Sequence, residues 1–281
     1  MPHFTESVLE EAVLAYLAGL GYTTVYGVEI APGEPGACRT SYEEVVLEGR
    51  LRLALERLNP GLPGEALDEA CRKVLQVPHL HPSTVASNHA FHRYLTGGVP
   101  VEYRDSGGSL RNGLVRLVDY DSPERNEFWA VNQFTVTDGR RNRRPDVVLF
   151  VNGLPLVLVE LKNPADEDAT IRKAFRQIQT YKEEIPAIFA YNEIVIISDG
   201  VEARAGSFTA GWERMTPWRT IEGETLAPAS LPAAQVLVLG MCEPGRLLDL
   251  LRCFIVFEQD GGALAKKVAA YHQFHAVNAA V

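Results

Sequence analysis

Apolar residues recur at helical spacing near the start of the chain. Leu9, Val13, Tyr16, Leu17 and Leu20 form one stripe and predict a helix over residues 5–20. Thr5 can cap its start and Gly21 can end it. A strand is expected over 22–30, then a loop over 31–39, where two Pro and two Gly fall close together. The pattern turns helical again over 42–58, 64–77 and 84–95, with Pro60, Gly61 and Pro63 separating the first two. Strands follow near 99–104, 113–120 and 127–137. Two short apolar runs, 147–151 and 154–159, flank Asn152-Gly153, a dipeptide suited to a tight hairpin turn. Beyond them, Ile171, Ala174, Phe175 and Ile178 mark a helix over 166–182, with Asp166, Glu167 and Asp168 at the positive end of its dipole. Strands are expected near 187–190, 193–198 and 202–207, and helices over 247–257 and 263–280. This order predicts an α/β fold: a mixed central β-sheet flanked by helices, with a helical insertion over about 40–97.

The hairpin carries the candidate chemistry. Asp146 opens its first run, after Arg143-Arg144-Pro145, and Glu160-Leu161-Lys162 closes the second, fourteen residues after the aspartate. The outer ends of a hairpin meet in space, so the three polar groups converge. Two carboxylates are hard oxygen donors suited to Mg²⁺, and a lysine beside them can orient or activate a water. Parity sets a condition. Glu160 and Lys162 are two apart and share a face. With a strict two-residue turn, Asp146 opposes Val159 and Glu160 points the other way. An odd-length turn or a β-bulge brings Asp146 onto the face of Glu160. The competing reading is a buried hairpin whose ends happen to be charged.

On the following helix, Gln177 and Tyr181 lie four apart at one edge of the apolar stripe. They either border the same cleft or form the polar flank of an amphipathic helix. His89 and His92 are three apart, and with no partner motif nearby they read as ordinary helix histidines.

Composition narrows the class. The 281 residues are 46% hydrophobic and 22% charged, enough for one large domain or two small ones. No apolar run approaches the ~18 residues of a membrane span. The first seven residues lack the basic-then-apolar pattern of a signal peptide, so a cytoplasmic setting with no membrane partner is expected. Cys38, Cys71, Cys242 and Cys253 are far apart and expected to be reduced. With 36 acids against 27 bases, the net charge of −9 argues against a simple DNA binder. Arg140, Arg141, Arg143 and Arg144 are a local exception directly before Asp146. They read as a basic lip where a phosphate backbone would pass, or as a solvated loop.

Pro145-Asp146, Glu160-x-Lys162 and Gln177-x-x-x-Tyr181, in this order and spacing, resemble the PD-(D/E)xK nuclease superfamily in its RecB-like branch. The wider text is similar to the restriction (HsdR) subunits of type I restriction–modification enzymes. The similarity is carried by "RPDVVLFVNGLPLVLVELKNPADEDATIRKAFRQIQTYKEEIP", "IFAYNEIVIISDGVEARAGSFTAGWERMTPWRTIEGE", "VNQFTV" and "AAYHQFHAVNAAV". It runs from about residue 4 to 281 and is least diagnostic over 30–80.

The resemblance implies a restriction-endonuclease-like fold and metal-dependent hydrolysis of double-stranded DNA. Asp146 and Glu160 would hold Mg²⁺, with the Leu161 carbonyl as a further oxygen. Lys162 would position water and stabilise charge, while Gln177 and Tyr181 would support the site. An acid on the first helix would complete it: Glu6 is favoured, with Glu10 and Glu11 as the other candidates. Relatives of this kind continue into an ATP-driven motor, which needs a phosphate loop; none occurs here. Residues 1–260 are therefore expected to be the endonuclease domain and 261–281 a helical lead-in to that motor. ATP use would belong to the longer protein, as would assembly with methyltransferase and specificity subunits. Two alternatives stay open: a repair or recombination nuclease of the same superfamily, and a non-catalytic binding module that kept the fold.

Overall fold

The most continuous apolar runs of the chain fold as the buried middle of a sheet. The computed structural model describes residues 6–105, 107–162 and 170–280. It opens with α1 (Glu6–Gly19) and β1 (Thr23–Tyr26). Next come α2 (Glu48–Leu58), α3 (Gly64–Leu80) and α4 (Thr84–Gly97), then a hairpin of β2 (Val99–Arg104) and β3 (Leu110–Val115). β4 (Phe128–Asn132) leads to a small ribbon, β5 (Val136–Asp138) and β6 (Arg141–Arg143), and then to β7 (Val147–Val151) and β8 (Leu154–Leu161). α5 (Ile171–Glu184), α6 (Pro186–Phe189), β9 (Ile194–Ser198) and β10 (Ala203–Gly206) follow. The chain closes with α7 (Ala233–Met241), α8 (Pro244–Cys253), a hairpin of β11 (Ile255–Asp260) and β12 (Ala263–Val268), and α9 (Tyr271–Asn278).

The central sheet has the order β1-β4-β7-β8-β9-β10. β1 with β4 and β8 with β9 are parallel, and the other neighbours are antiparallel. Every residue of β4, β7, β8 and β9 is buried, as expected for strands covered on both faces. A parallel neighbour requires a crossover, and α5 supplies the one between β8 and β9. It buries Ile171, Ala174, Ile178 and Tyr181 against those strands. α1 packs Leu9, Val13 and Leu17 against β1, β4, β8 and α7. This is the expected mixed α/β architecture, with α2 to α4 and the β2–β3 hairpin packed together at its side.

Several elements differ from the sequence pattern. The helix expected over 42–58 starts at Glu48. Val45, Val46 and Leu47 are buried, and the Leu47 amide donates to the Gly153 carbonyl at 2.9 Å, so tertiary contacts outweigh helix propensity there. The strand expected over 22–30 ends at Tyr26. The one expected over 127–137 breaks after Asn132, where Gln133 takes a φ of +53°, and β5 enters a separate two-stranded sheet. The helix expected over 166–182 is α5, which begins at Ile171 after an extended Thr170; Asp166, Glu167 and Asp168 lie outside the described residues.

Residues 187–190, expected as a strand, instead form a short helix begun by Pro186 and ended at Phe189, with Ala190 capping it. The helix over 247–257 ends at Cys253, and the helix expected over 263–280 is instead β12 followed by α9. Gly261 and Gly262, at φ of +56° and +88°, make the two-residue turn that pairs β12 with β11. All four cysteines are free thiols. Among the described residues no helix is long and apolar enough to cross a membrane.

Candidate active site

The parity condition on the hairpin is met by a bulge. Asn152 and Gly153, at φ of +53° and +80°, form a strict two-residue turn with Val151 opposite Leu154. Asn152 is fully buried, and its amide nitrogen donates to the Leu117 carbonyl at 2.9 Å. A side chain at Gly153 would meet the Leu47 carbonyl at 2.6 Å, so only glycine fits. Between Leu149 and Phe150 the register shifts: Phe150 faces Pro155, but Leu149 faces Val157 and Val147 faces Val159. Continued by one residue, this register sets Asp146 opposite Glu160. The bulge thus turns the aspartate onto the glutamate's face.

The three groups are close and sheltered. Asp146 is 6% exposed and Glu160 2% exposed. The Leu161 amide donates to Asp146 Oδ2 at 2.6 Å, tying the end of β8 to the start of β7. Lys162 Nζ donates to Glu160 Oε1 and to the Leu161 carbonyl, each at 2.7 Å. The Lys162 amide continues the parallel ladder by donating to the Ser198 carbonyl at 2.9 Å. All three side chains line one open cleft of about 1080 Å³.

α5 and β4 build the walls. Gln177 and Tyr181, one turn apart on α5, line the same cleft. The Tyr181 hydroxyl donates to the Arg144 carbonyl at 3.5 Å. Burial pushes its pKa well up, and the nearby Glu160 and Asp146 carboxylates push it further, so it stays a neutral donor. Gln133, just past β4, donates its amide to the Asp146 carbonyl at 2.8 Å. Its left-handed backbone is a strained conformation placed at the cleft. Gly27 donates to the Asn132 carbonyl at 2.8 Å, and a Cβ there would lie 2.6 Å from the carbonyl oxygens of Asn132 and Gln133.

Of the three candidate acids on α1, Glu10 lines this cleft. Asn132 Nδ2 donates to Glu10 Oε1 at 2.7 Å and Gln133 Nε2 to Glu10 Oε2 at 2.5 Å. Glu11 lines a different groove, and the side chain of Glu6 lies outside the described residues. Helical spacing puts Glu6 and Glu10 on one face, and the contacts to Asn132 and Gln133 are what tie Glu10 to the end of β4.

The four arginines are divided. Gly139 and Arg140 form the tip of the β5–β6 ribbon, and Arg140 is exposed there. Arg141 reaches Glu184 of α5 at 3.3 Å, and Arg143 also pairs with Glu184. Only Arg143 and Arg144 line the cleft. Of the two helix histidines, His92 Nδ1 lies 3.0 Å from Glu193 and His89 stacks on Phe257.

No three His, Cys, Asp or Glu side chains among the described residues form a ready-made metal cage. The donor set nonetheless fits a hard divalent cation, because Asp146 and Glu160 stand opposite each other beside the Leu161 carbonyl. Mg²⁺ takes one or two carboxylates and retains several waters.

Comparison with known proteins shows the family of the chain. Residues 3–214 match the family described as "Type I restriction enzyme R protein N terminus". The chain is 39% identical over 280 residues to the type I restriction enzyme HindI endonuclease subunit of Haemophilus influenzae, covering 98% of this chain and 26% of that protein. It is 42% identical over 89 residues to a type I restriction enzyme endonuclease subunit of Staphylococcus aureus, covering 31% of this chain and 9% of that protein. A relative from Methanocaldococcus jannaschii is 29% identical over 98% of this chain and 27% of its own length. The chain thus spans about a quarter of the length of the relatives it matches throughout.

Proposed function

The chain belongs to the family of type I restriction enzyme R protein N-termini, and on that footing we propose that its cleft is the endonuclease centre that cuts double-stranded DNA. One observation carries the reading: the bulge that sets Asp146 opposite Glu160, with Lys162 Nζ 2.7 Å from the glutamate. A charged hairpin end with no catalytic task needs no such register shift.

Asp146 and Glu160 would hold a Mg²⁺ ion, with the Leu161 carbonyl as a further oxygen. A bound ion of this kind supplies neutralisation of the scissile phosphate and a more acidic water. Lys162 orients the attacking water and stabilises the negative charge that develops on phosphorus-bound oxygens. Glu10, fixed by Asn132 and Gln133, adds a third carboxylate to the cleft wall. Tyr181 and Gln177 hold the α5 side, and Arg143 and Arg144 meet the phosphate backbone. Arg140 and Arg141 extend that contact along the β5–β6 ribbon.

The same reading makes this chain one part of a larger subunit. The rest supplies ATP-driven translocation and joins methyltransferase and specificity subunits, which choose the DNA site in the cytoplasm. The burial of Lys266 on β12 supports extending the nuclease unit from 1–260 through about residue 268, with α9 leading onward. The test is DNA cleavage by the full-length subunit in its complex, with Asp146→Ala against wild type. Cleavage should be lost while ATP hydrolysis persists. Undiminished cleavage by Asp146→Ala would remove the assignment.

A further inference from the structure

A stack of rings and one buried cation runs from the sheet to the mouth of the cleft. Phe150 on β7 meets Phe134 edge-on, with ring centroids 5.1 Å apart. The Arg39 guanidinium lies 3.8 Å from the Phe134 ring centroid and 5.2 Å from that of Tyr42. Arg39 is only 4% exposed, yet it forms no ion pair with a carboxylate among the described residues. Its nitrogens donate to the Glu44 carbonyl at 3.1 Å and the Thr135 carbonyl at 2.6 Å. Burial lowers its pKa to about 10, which leaves it a cation at neutral pH. Two carbonyls, the nearby Glu44 charge and the two ring faces together offset its burial.

Tyr42 is the outer member of this stack. It is 37% exposed and lines the cleft that holds Asp146, Glu160 and Lys162. Its carbonyl accepts from the Thr137 amide at 3.0 Å, so backbone and ring are both fixed. A second aromatic ring, Tyr26, is 58% exposed and lines the same cleft. Arg143 and Arg144 lie in its wall as well. Rigid aromatic faces beside phosphate-binding cations are the features with which proteins hold a single nucleic-acid strand. An intact duplex offers only base edges in its grooves, so its base faces cannot reach such a ring.

We propose that Tyr42 is a stacking platform for a nucleobase, so that the cleft takes a locally unpaired strand rather than an intact duplex. This rests on the nuclease reading of the cleft, because that reading makes DNA the occupant. Arg39 is then a positioning residue: it stiffens the platform from behind without touching DNA. The duplex is cut at a place where at least one base has left the helical stack.

The test is binding of the chain to two oligonucleotides of equal length, oligo(dT) and its fully abasic counterpart, at low ionic strength in EDTA. Both carry the same phosphates and only one carries bases. Wild type should bind oligo(dT) on the order of tenfold more tightly. Tyr42→Ala should erase that preference while leaving affinity for the abasic strand unchanged, and Tyr42→Phe should keep it. Equal wild-type affinity for the two strands would overturn the proposal. So would an equal loss on both strands in Tyr42→Ala, since that reports damage to the fold or the arginines. No cleavage is involved, so the result is independent of whether Asp146→Ala abolishes cutting.

Discussion

The molecule holds two buried Lys–Glu pairs that are nearly the same chemically and opposite in setting. At the cleft, Lys162 Nζ lies 2.7 Å from Glu160, with side-chain exposures of 17% and 3%. At the other, Lys266 Nζ on β12 lies 2.5 Å from Glu193, with both side chains fully buried. Lys266 also donates to Asn88 Oδ1 and to the Asn192 carbonyl, each at 2.9 Å, so all three of its donors are spent inside the protein. Desolvation lowers the Lys266 pKa, and Glu193 opposes that shift. The second cluster is sealed and joins the C-terminal hairpin to the core. The first opens on a cleft broad enough for a polymer. A buried ion pair is thus no sign of catalysis by itself; what distinguishes the two is access.

The largest effect should come from breaking the open pair. Lys162→Ala, Glu160→Ala or Asp146→Ala in the full-length subunit should lower cleavage by at least about 10²–10³-fold, with thermal stability and ATP hydrolysis nearly unchanged. If Lys162→Ala instead lowered the melting temperature sharply and left cleavage in the surviving protein, the open pair would be structural too. Breaking the sealed pair should do the reverse. Lys266→Ala leaves Glu193 with His92, 3.0 Å away, in place of its ammonium partner and should cost about 3 kcal/mol of folding stability. Denaturant unfolding of the chain would measure it, and a loss below about 1 kcal/mol would show that the cluster is less sealed than its geometry indicates.

The contrast also explains which site was legible in the sequence. Glu160 and Lys162 are two residues apart on one strand, and Asp146 is tied to them by a hairpin signalled by Asn152-Gly153. Local periodicity was enough to state that a bulge or an odd turn was required, and the bulge lies between Leu149 and Phe150. Lys266 and Glu193 are 73 residues apart, and no local rule connects them. Residues 263–268, Ala-Leu-Ala-Lys-Lys-Val, favour a helix by propensity, yet they form a strand paired with β11, and Lys266 is buried. The Gly261-Gly262 turn was the signal that could have overruled propensity. Residues 187–190 failed for another reason: a short apolar run does not declare its period. α7 was not foreseen, since Ala233–Met241 is apolar almost all round and shows no stripe. Glu6 was favoured on the family resemblance, since it and Glu10 share a helix face; the partners of Glu10, Asn132 and Gln133, are more than a hundred residues away, and no local rule announces them.

Glu10 therefore tests how far the open site extends. Its two oxygens are held by side-chain amides, so Glu10→Gln sets an amide group against an amide donor. Cleavage should fall on the order of tenfold, a loss typical of groups that orient metal ligands. The Mg²⁺ concentration for half-maximal cleavage should rise in parallel. A variant with reduced cleavage at every Mg²⁺ concentration, and no change in that midpoint, would place Glu10 outside the metal's surroundings.

The smallest effect should come from the arginines, and it sharpens the picture of an open site that depends on other parts of the subunit for DNA. With a net charge of −9, the chain neutralises few phosphates. Each phosphate contact contributes a log–log salt slope of about −0.9, so affinity resting on a few contacts is weak at physiological salt. Arg143 and Arg144 line the cleft, whereas Arg141 is turned toward Glu184 and Arg140 stands at the ribbon tip. Replacing Arg143 and Arg144 with Ala should reduce the salt slope of DNA binding by up to about one unit each. The same change at Arg140 and Arg141 should reduce it by less, because neither of them lines the cleft. In the full complex all four replacements should weaken cleavage more than loading onto DNA, since loading is carried elsewhere. A salt titration of the chain on a non-specific duplex with an unpaired tail decides the matter. Tight binding that barely changes with salt would mean that a DNA-holding surface lies outside this cleft, and the open pair would then be one station on a longer path.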